Sequence, residues 1–345
     1  MIRFEEVSMK KINFDFFVKN KYWFLGVGIA LLLIVPFLGF SNYIIRVFCM
    51  VYIYSILTLS LNIITGYLGA TSMGHAALYC VGAYAGAILS TRLGWGFFPS
   101  LLIALITGLL FGLFLGACTM RLSGSYMTVT TLAFLQVITM IGKNWTWLTN
   151  GTLGIRHIPK IKIFGMTMTL ANGGYYYIAL ILLAICVVFV MFVIKSKYGR
   201  AFIAVRDDEL SARMMGLNTK GIRVLGCAIS GAIAGIVGCY YAFLIGYIDP
   251  VSFSFDISMT ILTMAILGGL ASIPGSIAGA VILTVFPELL RALNTYRFFF
   301  FGFILVIMMR IRPQGILGGI RSAHYKLPKG VVSIKRGTRQ EGGDV

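Results

Sequence analysis

Between Asp15 and Asp207 the chain carries no acidic residue at all. Charged residues make up 12% of the 345, against about 25% in a typical soluble domain. Carriers that couple to protons or sodium usually place a carboxylate inside the membrane, and the first half of this chain offers none, which disfavours that mechanism. No GxSxG or HExxH occurs, so the sequence does not encode proteolysis by those chemistries. It also lacks a GxxxxGK[ST] phosphate cradle. If ATP drives this protein, another chain binds it. The six cysteines (Cys49, Cys80, Cys118, Cys186, Cys227, Cys239) lie in apolar runs without a CxxC pair. They read as small buried hydrophobes, not as disulfides or metal ligands.

What is present is apolar. The chain is 59% hydrophobic with a mean hydropathy of +0.91. Several runs reach about 18 residues, the length that crosses roughly 30 Å of hydrocarbon. These runs are continuous rather than alternating, which excludes a porin-like barrel. The expected fold is all-α, a polytopic helical membrane protein. The net charge of +18 gathers in the tails and in one loop, where it meets anionic headgroups, so membrane lipids rather than nucleic acid are the expected polyanion. Residues 1–22 are basic but show no cleavage-site pattern, and the run after them reads as an uncleaved first helix.

Ten spans are predicted, at 23–40, 43–64, 74–91, 95–117, 125–142, 175–195, 223–246, 257–273, 275–291 and 295–309. The eighth and ninth are short and separated only by "SIPGS". They also suit a re-entrant hairpin, so the count runs from eight to ten. With the N-terminus inside, 21 of the 29 Lys and Arg fall on the inner side. That bias places both termini and residues 196–222 in the cytoplasm and residues 143–174 outside. The organisation is then a basic tail at 1–22, a transmembrane domain at 23–309 and a second basic tail at 310–345.

Gly108, Gly112 and Gly116 recur every four residues, as do Gly82 with Gly86 and Gly231 with Gly235. Such stripes let helix backbones approach closely. Thr128, Gln136, Thr139 and Lys143 share one face of the span 125–142, which suits interhelical hydrogen bonding or a polar passage. Ser72 and His75 in "ATSMGHAA" read as a helix cap and a packed polar residue, with lining of a solute path as the functional alternative. Ser72, His75, Thr128 and Gln136 are the candidate path residues. No catalytic residue, metal site or cofactor is expected.

The missing carboxylates reappear together in "VRDDELSARMMGLNT" at 205–219. Asp207 or Asp208 can cap a short helix, Glu209 suits its positive end, and Glu209 and Arg213 stand four apart in the favoured order. Gly216 supplies a left-handed stop, and Asn218 suits the turn after it. Leu210 and Met214 form an apolar ridge. A helix of about eight residues is marginal alone and must pack against something. The residues themselves leave two readings, a surface helix at the headgroups or a helix docked into a cytoplasmic partner.

The segment "SKYGRAFIAVRDDELSARMMGLNTKGIRVLGCAISGAIAGIVGCYYAFLIGYIDP" resembles the permeases of branched-chain amino-acid ABC importers, the LivM type in particular. So do "GYLGATSMGHAALYCVGAYAGA", "SGSYMTVTTLAFLQVI", "ILGGLASIPGSIAGA" and "RPQGILGG". In this chain Ile203 stands where such permeases commonly carry a basic residue. The resemblance implies a membrane subunit of a bacterial importer in the cell membrane, without enzymatic activity of its own. It implies a second permease of the LivH type, two cytoplasmic ATP-binding subunits and an external substrate-binding protein as partners. It further implies that Gly199, Arg200, Ala201, Arg206, Asp207, Asp208, Glu209 and Gly216 belong to the loop that meets the ATPase. The alternative function is an ATP-independent channel or secondary carrier for a small solute.

Overall fold

The computed structural model describes residues 41–289 apart from 123, 164, 165 and 171, together with 302, 310 and 315–317. The expected spans 23–40 and 295–309 and both basic tails lie, but for isolated positions, outside the described residues. The described fold is helical apart from one ribbon, in which Lys162 pairs with Thr167 and Ile163 with Met166.

Helix α1 (Asn42–Asn62) continues without interruption into a π-helical turn, Ile63–Tyr67. Helices α2 (His75–Arg92), α3 (Phe97–Thr119) and α4 (Ser125–Asn144) follow. A single turn, α5 (Thr146–Thr149), leads into the ribbon strands β1 (Lys162–Ile163) and β2 (Met166–Thr167). Then come α6 (Gly174–Lys195), α7 (Lys197–Asp207), α8 (Glu209–Met214) and the long α9 (Thr219–Ile245). Helices α10 (Phe255–Gly268) and α11 (Ile273–Leu289) complete the order. Six helical segments among the described residues are long and apolar enough to cross a membrane: Asn42–Tyr67, Phe97–Thr119, Ser125–Asn144, Gly174–Lys195, Thr219–Ile245 and Val251–Gly268. The expected boundaries at 43–64, 95–117, 125–142 and 175–195 agree with these helices to within about three residues.

Helix α9 is the centre of the bundle, and small residues hold it there. Gly108 and Gly112 of α3 sit against the backbone of Gly231, Gly235 and Cys227, so α3 and α9 run antiparallel at the closest approach two helices allow. Gly82 and Gly86 of α2 meet Gly235 and Cys239 in parallel order. The glycine stripes therefore pack helices. Ser60 of α1 and Ser230 of α9 exchange hydrogen bonds, each hydroxyl donating to the other's carbonyl at 2.7 and 2.8 Å. With α3 and α6 the balance reverses. Their outward faces carry Leu110, Phe114, Ile185 and Phe192, all exposed, which is what hydrocarbon contact requires.

The connections sort into two groups that touch only their own kind in the described contacts. At one end Arg206 reaches Gly66, Arg223 reaches Leu122 and Asn62 reaches Ala271. At the other end Arg92 donates to the Trp147 carbonyl, Ile155 pairs with Ile248, and Pro250 lies over Gly142. That partition is what a chain crossing back and forth produces. Helices α10 and α11 pack antiparallel, Gly268 on Gly275 and Gly279 on Met264, around the tight turn 269–272.

Candidate functional site

The acidic cluster lies in a two-helix hairpin, α7 and α8, between α6 and α9. Ser196 begins α7 by accepting from the Tyr198 amide. Gly199 is buried, and a Cβ there would collide with the backbone of Ile194, so glycine is what lets α7 fold back on the end of α6. Ala201, Phe202 and Val205 make the buried face of α7. Arg200 stays exposed and donates to the Lys195 carbonyl at 3.4 Å. Of the three residues in the "GRA" motif, only Arg200 faces away from the chain.

The sequence left the choice of cap open, and the geometry resolves it. Asp208 is extended, with φ −159° and ψ 109°, and breaks α7 from α8. Its carboxylate accepts the amides of Leu210 at 2.8 Å and Ser211 at 3.0 Å and the Ser211 hydroxyl at 2.9 Å. The Ser211 amide, then its hydroxyl, hold the Asp208 carboxyl below its ordinary value. Asp207 instead takes the Arg206 guanidinium, at 2.9 Å from Nη2 and 3.1 Å from Nε. Gly216, at φ +82°, ends the hairpin, and Asn218 caps α9 by accepting from Gly221.

Glu209 is anchored twice. Arg213 approaches one oxygen at 3.3 Å within α8, and Arg223 of α9 approaches the other at 2.6 Å. Arg223 also donates to the Leu122 carbonyl at 2.8 Å, so one mostly buried guanidinium ties α8 to α9 and to the α3–α4 connection. Sequence reasoning missed Arg223 because its partners lie 14 and 101 positions away. Arg206 turns inward too, its Nη1 donating to the Gly66 carbonyl at 3.2 Å. With its ion pairs satisfied within the chain, α8 presents apolar side chains outward: Leu210 is 62% exposed, Met214 79% and Met215 84%.

The four candidate path residues do not form one surface. Ser72 and His75 are fully enclosed beside the start of α2. Around them Met73 donates its amide to the Thr131 hydroxyl at 3.1 Å and Ala76 to the Ser258 hydroxyl at 3.0 Å. Thr128 donates to the Thr71 carbonyl at 3.4 Å. Gln136 points away on the exposed face of α4, in an open groove with Val137, Met140, Ile141 and Asn144. Thr139, expected beside it, returns its hydroxyl to Leu135 and Gln136 of its own helix. Among the described residues no group of His, Cys, Asp and Glu is arranged to hold a metal ion.

Comparison with known proteins adds an independent line. A family model described as "Branched-chain amino acid transport system / permease component" matches residues 43–309. The high-affinity branched-chain amino acid transport permease LivM of Escherichia coli K12 is 34% identical over 287 residues, covering 77% of this chain and 68% of that protein. LivH of the same strain is 24% identical over 289 residues, covering 77% and 91%. The autoinducer 2 import permease LsrC of E. coli O9:H4 is 27% identical over 191 residues, covering 53% of each. No solved structure matches the chain.

Proposed function

Because the chain belongs to the family of branched-chain amino acid transport permease components, we propose that it is one of two membrane halves of a bacterial importer. The other half is a LivH-like permease, and the α7–α8 hairpin is where an ATP-binding subunit docks. The substrate is a branched-chain amino acid, delivered from outside by a binding protein. On this reading the hairpin end of the bundle is cytoplasmic, as the distribution of Lys and Arg favours.

The observation that carries the docking reading is the ridge of Leu210, Met214 and Met215. Three large apolar side chains stand exposed on and just after a short helix whose carboxylate, Glu209, is already paired inward to Arg223. Thioethers and a branched aliphatic suit a groove in a partner protein, and helix-in-groove contact reads out such spacing. Bound there, the ATPase acts by differential affinity. Nucleotide binding and hydrolysis change how tightly each conformation of the permease is held, and the populations shift accordingly.

Co-purification tests it. Leu210→Asp/Met214→Asp touches only exposed side chains, so the permease should fold and reach the membrane as wild type while the ATP-binding subunit is lost. Retention of that subunit at wild-type stoichiometry would refute the docking site.

A further inference from the structure

At the end of α1 the hairpin touches the membrane bundle through a deformed helix. Residues 63–67 form a π-helical turn, closed by the Leu68 amide on the Ile63 carbonyl at 3.1 Å. Such turns insert a residue into a helix at a cost in stability and recur at functional positions. Two side chains grip this one. From the hairpin, Arg206 donates to the Gly66 carbonyl at 3.2 Å, and its stem lies across Gly69, where the chain takes φ +73°. Asp207 pairs with its Nε and Nη2 on the exposed side.

At the start of the turn stands Asn62, which is buried. Its Oδ1 accepts the Ala271 amide at 2.8 Å, and its Nδ2 donates to the Ser276 hydroxyl at 2.6 Å and the Ser272 carbonyl at 3.2 Å. All three partners belong to the turn between α10 and α11 or to the first turn of α11. Gly66 lies directly on the Asn62 amide: a Cβ at position 66 would strike both Asn62 Oδ1 and the Ala271 nitrogen. The α10–α11 turn holds Ala271 at φ +57°, a costly conformation for a residue with a Cβ, and Asn62 bonds that residue's amide. Residues 316 and 317 dock on the end of α10 beside this turn, donating to the Leu267 and Gly268 carbonyls at 2.9 and 3.1 Å.

We propose that Arg206 and Asn62 are positioning residues for transport: through the π-turn of α1 they join the α7–α8 hairpin to the α10–α11 turn, so that movement of the hairpin is passed to that turn. This rests on the hairpin being the ATPase docking site. Arg206 bonds the π-turn at Gly66, and Asn62 leads into the turn and bonds the α10–α11 turn. On this proposal the π-turn relaxes toward the regular α-helical register as the hairpin moves. Coupling requires an element of that kind, since contact alone carries no signal.

The test uses the whole importer, purified with its ATPase and reconstituted in liposomes with binding protein and leucine. Uptake and ATP hydrolysis are measured together for Arg206→Met, Arg206→Lys, Asn62→Asp and the double variant Arg206→Met/Asn62→Asp. Arg206→Met should keep the ATPase bound and hydrolysing, while the leucine taken up per ATP falls at least tenfold. Arg206→Lys, which retains a donor for Gly66, should recover much of the ratio. The double variant should be no worse than the poorer single one, because both residues act on one link. Asn62→Asp keeps the acceptor for Ala271; Arg206 lies at the surface and carries the test if the buried substitution does not fold. An unchanged ratio, or uptake and hydrolysis falling in step, overturns the coupling role and leaves the docking site standing. Loss of the ATPase from Arg206→Met also overturns it, by making Arg206 a docking residue. Absence of an ATPase from the wild-type complex overturns both.

Discussion

The contact between α3 and α9 gives the most quantitative prediction. A Cβ at Gly112 would lie 2.5 Å from the Cys227 carbonyl oxygen and 3.0 Å from the Ala228 Cα, where ordinary contact begins at 3.4 Å. Both obstacles are backbone, so no side chain can rotate out of the way and the two helices must separate by about 1 Å. A gap of that size removes about a quarter to a half of the dispersion energy of each facing atom pair. Overpacking of this kind costs about 1–3 kcal/mol, while replacing Gly in a helix by Ala returns about 1 kcal/mol of propensity. Gly112→Ala should therefore be mildly destabilising, at most about 2 kcal/mol. Gly112→Val adds two methyls at the same spot and regains less propensity, for a net loss of about 2–3 kcal/mol. Thermal unfolding in detergent measures this. A loss of about 2 kcal/mol lowers Tm by roughly 4–8 °C in a domain of a couple of hundred residues. Gly96→Ala is the packing control: a Cβ there meets nothing within 4 Å, and the change costs only the N-cap preference, at most about 1 kcal/mol. If Gly112→Val melts with the control, the helices are not in backbone contact and the packing account is wrong.

Other consequences are as specific. Glu209→Ala should remove the tether to Arg223, about 1.5–3 kcal/mol for a hydrogen bond to a charged partner, and limited proteolysis should then cut more readily within 207–216. Removing the Thr131 hydroxyl with Thr131→Val leaves the Met73 amide without its partner, at a cost of about 1–3 kcal/mol read in the same melting assay. Because the Asp208 carboxyl is held below its ordinary 3.8, the cap it forms is complete above that value and is lost as pH falls through the lowered one. Amide exchange at Leu210 and Ser211 should keep its protection between pH 5 and 8, and Asp208→Asn should leave that pattern in place while Asp208→Ala abolishes it.

How far the sequence could be read depended on how local each feature is. Continuous apolar runs set the positions of α1, α3, α4 and α6, since length and hydropathy suffice to mark a helix that must satisfy its own backbone. The second helix of the hairpin was legible for the same reason, since its cap, its i to i+4 pair and the Gly216 stop all act within a few residues. Helix α7 was not, because its packing against the end of α6 depends on Gly199 and left 197–207 reading as loop. Local chemistry left Asp207 and Asp208 equivalent; what separates them is the extended backbone at Asp208, which ends α7 and turns that carboxylate onto the first amides of α8. The π-turn at 63–67 was invisible, because an apolar run has no phase from which an inserted residue can be told. Asn62 gave no signal either; its partners stand 209 to 214 positions away, and a lone Asn near a helix end reads as an ordinary cap. The stripe of Thr128, Gln136, Thr139 and Lys143 was legible as a helical face but not as a surface. Helical spacing cannot tell that the Thr139 hydroxyl bonds its own helix while Gln136 stands free of the bundle.

The most direct measurement of the central claim is a cross-link. A benzophenone-bearing amino acid in place of Met215, activated in native membranes, should yield a covalent adduct with the ATP-binding subunit, while the same group in place of Phe192, on the lipid-facing side of α6, should not. An adduct at 192, or no adduct with that subunit at 215, would contradict the account.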